Sequence, residues 1–148
     1  MTDVISREKR SALMSRIRGS DTEPEIAVRR GLHRAGFRFR LHQRNLPGSP
    51  DLVLAKFGAV IFVHGCFWHR HRGCRLAYRP KSRTGFWTEK FRQNRARDRR
   101  LQRELRDRGW RVLVVWECTL RKHADRVKAI ERIKGWLRSG ASRGEIGV

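Results

Sequence analysis

The run from Trp110 to Trp116 is apolar at every position except Arg111. Such a segment has no polar face to turn to water, so it predicts a strand covered on both sides, deep in a sheet. The rest of the chain must then supply the covering layers. Between Thr84 and Arg108, residues Trp87, Phe91, Asn94, Asp98, Leu101 and Leu105 follow 4,3,4,3,4 spacing and share one face, which predicts a long helix ended by Gly109. A last helix is expected over Ala124–Leu137.

Upstream, Thr22 and Glu25 have capping-box spacing with Pro24 in the first turn, so a helix should begin at Thr22. Glu25, Val28, Leu32 and Ala35 lie on one face of it, and Gly36 stops it. Phe37–Leu41 alternates apolar and basic residues, as a half-buried strand does. Two short apolar runs, Leu52–Ala55 and Ala59–Val63, are joined by Lys56, Phe57 and Gly58, a hairpin signal. If Ala55 pairs with Ala59, residue 54 faces 60, 52 faces 62, and Asp51 faces Val63. Residues 64–83 carry few helix or strand signals and read as a loop. The expected fold is therefore a mixed α/β sandwich, a sheet covered by helices, over residues 21–138. A polar, basic arm (1–20) and a flexible tail (139–148) complete the expected organisation.

Charge narrows the function. The 148 residues hold 36 Lys+Arg against 14 Asp+Glu, a formal net charge of +22. A field of that sign suits polyanions. No run of 18 apolar residues offers a membrane span, and residues 1–20 lack a secretion signal, so a cytoplasmic protein is expected. From Leu52 through Thr88 there is no acid, while Lys56, Arg70, Arg72, Arg75, Arg79, Lys81 and Arg83 are all basic. From Glu89 to Arg111 there are ten Lys+Arg and four acids. A solvated helix face is usually mixed in sign, so nucleic-acid contact is the better explanation. Phe67, Trp68, Phe86 and Trp87 interleave with these charges; they either anchor the loop to the core or enter a base stack as wedges. On the residues alone, anchoring is slightly favoured.

Three groups of side chains could carry chemistry. Cys66, His71 and Cys74, with Cys118 at the end of the buried strand, have the composition of a closed structural zinc site. The bland alternative is three buried thiols and a surface histidine, and His69 competes as a ligand. Asp51, the backbone carbonyl of Val63 and His64 could converge as an oxygen-rich site suited to Mg²⁺. Glu25 either projects inward at the same place or merely caps its helix. Asp98, on the apolar face of the long helix, needs a cationic partner, for which His69 is the candidate. His33, His42 and His123 are expected at the surface.

Several of these stretches are also distinctive as wholes. Pro50–Asp51, Val60–Ile61–Phe62–Val63–His64–Gly65–Cys66–Phe67–Trp68–His69, Phe86–Trp87–Thr88–Glu89–Lys90, Asn94, Arg97–Asp98–Arg99–Arg100 and Gly109 to Cys118 closely resemble the very short patch repair (Vsr) DNA mismatch endonucleases. The resemblance covers about residues 6–138. It implies a restriction-endonuclease-like fold, a degenerate relative of the PD-(D/E)xK nucleases, and nicking of one strand 5′ to the T of a T:G mismatch. It implies that Asp51 and the Val63 carbonyl ligate a catalytic Mg²⁺, and that His69, held by Asp98, is a general base or acid. Glu25 and His64 complete the active site; Cys66, His71, Cys74 and Cys118 hold a structural Zn²⁺. Phe67, Trp68 and Trp87 become the side chains that enter the duplex, which reverses the leaning toward anchoring. The implied partner is double-stranded DNA on the bacterial nucleoid, with other mismatch-repair proteins as further candidates and no membrane.

Two other functions fit parts of this pattern. A non-catalytic zinc module that binds DNA accounts for the charge, aromatics and cysteines, but gives Asp51, Glu25, His69 and Asp98 no reason to converge. An RNA-binding or ribosome-associated protein fits the charge alone.

Overall fold

In the computed structural model, which describes residues 22–147, the apolar run forms β4 (Arg111–Trp116), with Val112 to Trp116 buried without interruption. It lies fourth in a five-stranded sheet of order β1-β2-β3-β4-β5, where β1 is Arg40–Leu41, β2 Leu52–Leu54, β3 Ala59–His64 and β5 Arg143–Ile146. β1, β2 and β3 pair antiparallel, whereas β3, β4 and β5 run parallel. Helices α1 (Glu23–Arg34), α2 (Thr84–Asp107) and α3 (His123–Ser139) supply the layers. The strand alternation divides the core in two. Leu52, Leu54, Ala59, Ile61, Leu113 and Val115 pack with Val28 and Leu32 of α1 and Ala129, Ile133 and Leu137 of α3. Val53, Val60, Phe62, Val112 and Val114 pack with Leu105 of α2 on the opposite face. Among the described residues, no helix is long and apolar enough to cross a membrane.

The hairpin register differs from expectation by one residue. Leu54 faces Ala59, Val53 faces Val60 and Leu52 faces Ile61. Ala55 is not in the strand; it starts a 3-10 turn, Ala55–Phe57, closed by Gly58 in the left-handed region at φ 58°. A one-residue slip exchanges faces, and the observed register puts the bulky Leu52, Leu54 and Ile61 together under α1 and α3. The strand expected over Phe37–Leu41 shrinks to two residues, because Phe37 is drawn into the core instead of pairing. Thr22 precedes α1 but makes no side-chain cap, as Glu25 has other partners.

The expected flexible tail is also corrected. Residues Arg143 to Ile146 form an edge strand on β4, with Ile146 buried opposite Val115. Gly144 makes this approach possible: a Cβ there would lie 2.3 Å from the indole nitrogen of Trp136. The expected N-terminal arm lies outside the described residues.

Candidate active site and metal centre

The C-terminal ends of β3 and β4 open into a groove of about 1520 Å³, lined among others by Glu25, His42, Asp51, His64, His69 and Asp98. At the end of the antiparallel pair, Asp51 Oδ2 accepts the backbone N–H of Val63 at 2.7 Å. Burial pushes the Asp51 carboxyl above its ordinary value; the Val63 N–H, His42, His69 and Arg29 oppose that rise without cancelling it. A desolvated carboxylate at the floor of a groove is short of positive charge, and a hard divalent cation with water ligands suits it. The donor set thus fits Mg²⁺, for which Asp51 would be the side-chain ligand.

His64, the last residue of β3, is buried and stacks on His69 with ring centroids 3.8 Å apart and planes 6° from parallel. Burial, and secondarily the neighbouring His69, hold His64 well below the usual imidazole range. His69 Nδ1 is 2.7 Å from Asp98 Oδ2. With Nδ1 protonated toward the carboxylate, Nε2 carries the lone pair, the arrangement needed in a general base. Asn94, one turn before Asp98, donates to the Trp68 carbonyl at 3.1 Å and fixes the loop that carries His69. The helical spacing seen in the sequence thus serves Asn94 and Asp98 as groups facing this loop.

Glu25 does face inward and is buried. Its Oε2 pairs with the Arg29 guanidinium one turn later and lies 3.0 Å from His42 Nε2. His42 is therefore not the isolated surface residue expected, since its Nδ1 also lies 3.9 Å from Asp51 Oδ1. Nothing local in the sequence marks it. His42 enters through a left-handed backbone at φ 46° and the bond from its N–H to the Asp51 carbonyl at 3.4 Å. Arg29 and Glu117 were missed too; Glu117 Oε1 accepts the Cys66 N–H at 3.0 Å and joins the ends of β3 and β4.

Behind the groove, Cys66, His71, Cys74 and Cys118 bring one donor atom each within 4.8 Å of all the others. His71 Nδ1 lies 3.6 Å from Cys66 Sγ and 3.4 Å from Cys118 Sγ. Tetrahedral Zn²⁺ with bonds of about 2.3 Å to sulfur and about 2.0 Å to nitrogen separates such ligands by roughly 3.5 Å. The four residues fit zinc in composition and spacing. Burial lowers the His71 pKa, against the raising effect of Glu145, and so favours the neutral imidazole that a metal needs.

The aromatics form one cluster at the groove wall. Phe67 packs against Trp68, Tyr78, Trp87 and Phe91 with centroids 4.9–5.5 Å apart. Phe91 is buried, but Phe67, Trp68 and Trp87 are only half-buried. Arg70, counted in the sequence among the outward charges, turns inward: it lies 3.9 Å from the Phe91 ring centroid and donates to the carbonyls of Phe67, Ala77 and Tyr78. Lys90, Arg97 and Arg121 remain on the groove, and Arg95, Arg99, Arg100 and Arg103 are exposed on α2.

Comparison with known proteins gives the same direction. The chain is 53% identical over 120 residues to the type II nicking enzyme V.XorIIP of Xanthomonas oryzae pv. oryzae, covering 81% of this chain and 88% of the relative. It is 44% identical over 124 residues to the type II nicking enzyme V.NmeAIP of Neisseria meningitidis, covering 84% of this chain and 88% of that protein. It is also 44% identical over 140 residues to the DNA mismatch endonuclease Vsr of Escherichia coli, covering 93% of this chain and 88% of that protein. The family model described as DNA mismatch endonuclease Vsr matches residues 2–75. With these similarities spanning most of its length, the chain belongs to the Vsr family of DNA mismatch endonucleases.

Proposed function

We propose that this protein is a Mg²⁺-dependent endonuclease of restriction-endonuclease-like fold that nicks one DNA strand 5′ to the T of a T:G mismatch, the product of 5-methylcytosine deamination. The observation that carries the reading is the meeting, in one groove, of a desolvated Asp51 on the Val63 backbone with an Asp98-oriented His69. A DNA-binding module without chemistry requires neither.

Bound Mg²⁺, held by Asp51 and the Val63 carbonyl, would supply Lewis-acid stabilisation of charge on the scissile phosphate. Asp98 fixes the tautomer and angle of His69, so that Nε2 can take a proton from water or return one to the leaving oxygen. His64, kept neutral by burial, supports the ring of His69 without adding a second charge beside it. Cys66, His71, Cys74 and Cys118 would hold a structural Zn²⁺ that ties the His69 loop to β4. Half-buried Phe67, Trp68 and Trp87 combine both sequence-level roles: the cluster is anchored through Phe91 while its outer rings wedge into the stack beside the mismatch, where unstacking costs least. The outer face of α2 supplies sequence-independent phosphate contacts whose strength falls with salt. The duplex would be met on the nucleoid, with other mismatch-repair proteins as candidate partners.

The test is nicking of a T:G duplex beside a T:A control, with Mg²⁺ and with a chelator, for the wild-type protein and Asp51→Ala. The expected result is one nick on the T strand that needs the mismatch, the metal and Asp51. Equal cutting of both duplexes, or full activity of Asp51→Ala, would overturn the proposal.

A further inference from the structure

The groove contains a second set of metal-type donors, since Glu25, His42 and Asp51 bring one ligand atom each within 4.8 Å of one another. A carboxylate and an imidazole beside the metal carboxylate Asp51 would ordinarily suggest a second divalent cation, as in nucleases that clamp the phosphate between two metals. Here a side chain stands among them. Arg29 Nη2 pairs with Glu25 Oε2 and lies 2.9 Å from His42 Nε2. The guanidinium therefore lies against both ligand atoms, which are themselves 3.0 Å apart. On its other side, His42 Nδ1 lies 3.9 Å from Asp51 Oδ1, so the imidazole stands between Arg29 and Asp51. The two ligand atoms that a second cation would meet on this side, Glu25 Oε2 and His42 Nε2, thus face a guanidinium.

We infer that Arg29 occupies the place of a second metal ion, and that this chain works with one divalent cation, at Asp51. Glu25 is then a clamp for Arg29, not a metal ligand. His42 is a positioning residue, set between Arg29 and Asp51. The guanidinium is planar, permanently charged and held one helical turn from its carboxylate partner, so the positive charge is present whether or not metal is bound. The inference rests on the proposed metal site at Asp51.

Counting bound Mn²⁺ on the full-length, zinc-replete protein by electron paramagnetic resonance tests it. Wild type should bind one Mn²⁺ per chain, and so should Arg29→Lys, which keeps the charge. Arg29→Met should bind two, and the second should vanish when Glu25→Gln is added. Two Mn²⁺ on the wild type, with one lost in Glu25→Gln or His42→Ala, would overturn the inference; so would a single Mn²⁺ on an Arg29→Met protein that retains its zinc. Asp51→Asn tests the underlying reading separately. That reading fails if the substitution leaves the first Mn²⁺ in place, whatever Arg29→Met does to the second.

Discussion

His69 and Asp98 are joined across 29 residues of sequence by a 2.7 Å contact between Nδ1 and Oδ2, linking the loop after β3 to the middle of α2. Both side chains are mostly covered, at 31% and 20% exposure, so the bond is screened less than a surface pair. Asp98→Asn keeps the shape but no longer fixes the imidazole tautomer. We expect kcat for nicking to fall by about 10²-fold or more, the range spanned by general acid–base catalysis, with DNA affinity unchanged. His69→Ala should cost at least as much, and the double variant little more than His69→Ala alone. Single-turnover rates at saturating DNA would show this; additive losses would mean that the two residues act separately.

Burial sets the pH response of His64. Its folded pKa is depressed well below the usual 6.5, so the folded state favours the neutral ring while the unfolded chain takes up a proton freely. Stability from this group is therefore fully present above about pH 6.5 and is lost as pH falls below it toward the folded value. His64→Gln should flatten that part of the stability profile. Urea denaturation between pH 5 and 8 is the measurement, and an unchanged acid-side slope would contradict the assignment.

The parts of the fold that the sequence made legible are those decided locally. The long helix follows from apolar spacing and the doubly covered strand from its apolar run; their bounds, and those expected for the last helix, move by only one or two residues. β5 was not legible, because Arg143–Gly144–Glu145–Ile146 has no alternation that marks a strand; it forms by pairing with β4 and by letting Trp136 sit over Gly144. The hairpin slip has the same origin, since either register is locally sound and the choice is made by what α1 and α3 cover. In the site, Asp98 was legible as a carboxylate out of place on an apolar face. His42 was not, because its role depends on a left-handed turn that brings it to Glu25 and Asp51.

Arg111, the one charge in the buried strand, has a structural task. Its guanidinium donates to the carbonyls of Phe57, Trp136, Leu137 and Ala141 and lies 4.4 Å from the Trp136 ring centroid. Two of those carbonyls belong to the last turn of α3, where the backbone runs out of N–H donors, and only that of Trp136 also accepts a hydroxyl, from Ser139. Arg111→Met should therefore destabilise the protein by about 2–3 kcal/mol, through acceptors left without a charged donor. Chemical denaturation would measure it, and a change below about 0.5 kcal/mol, ordinary for a surface site, would show that water replaces the guanidinium.

The C-terminal strand should report on the proposed zinc centre. His71 presents Nδ1 to the cysteines, so Nε2 faces the other way, where a Cβ on Gly147 would lie only 2.7 Å from it. The His71 ring stacks on Trp116 at 4.4 Å, and the Trp116 indole N–H donates to Glu145 of β5. Outer contacts of this kind fix a ligating imidazole, and their loss typically weakens metal binding by about 10–100-fold. Gly147→Ala should push the ring away from the cysteines and speed chelator-driven zinc release by about tenfold, on the same basis. Glu145→Ala should act in the same direction by freeing Trp116. Hydrogen exchange then supplies the reciprocal test. Removing zinc should raise exchange in residues 143–146 while leaving the α1–α3 face of the core protected, because linkage requires the metal to stabilise the strand as much as the strand stabilises the metal. Zinc release unchanged in Gly147→Ala would mean that β5 docks independently of the centre.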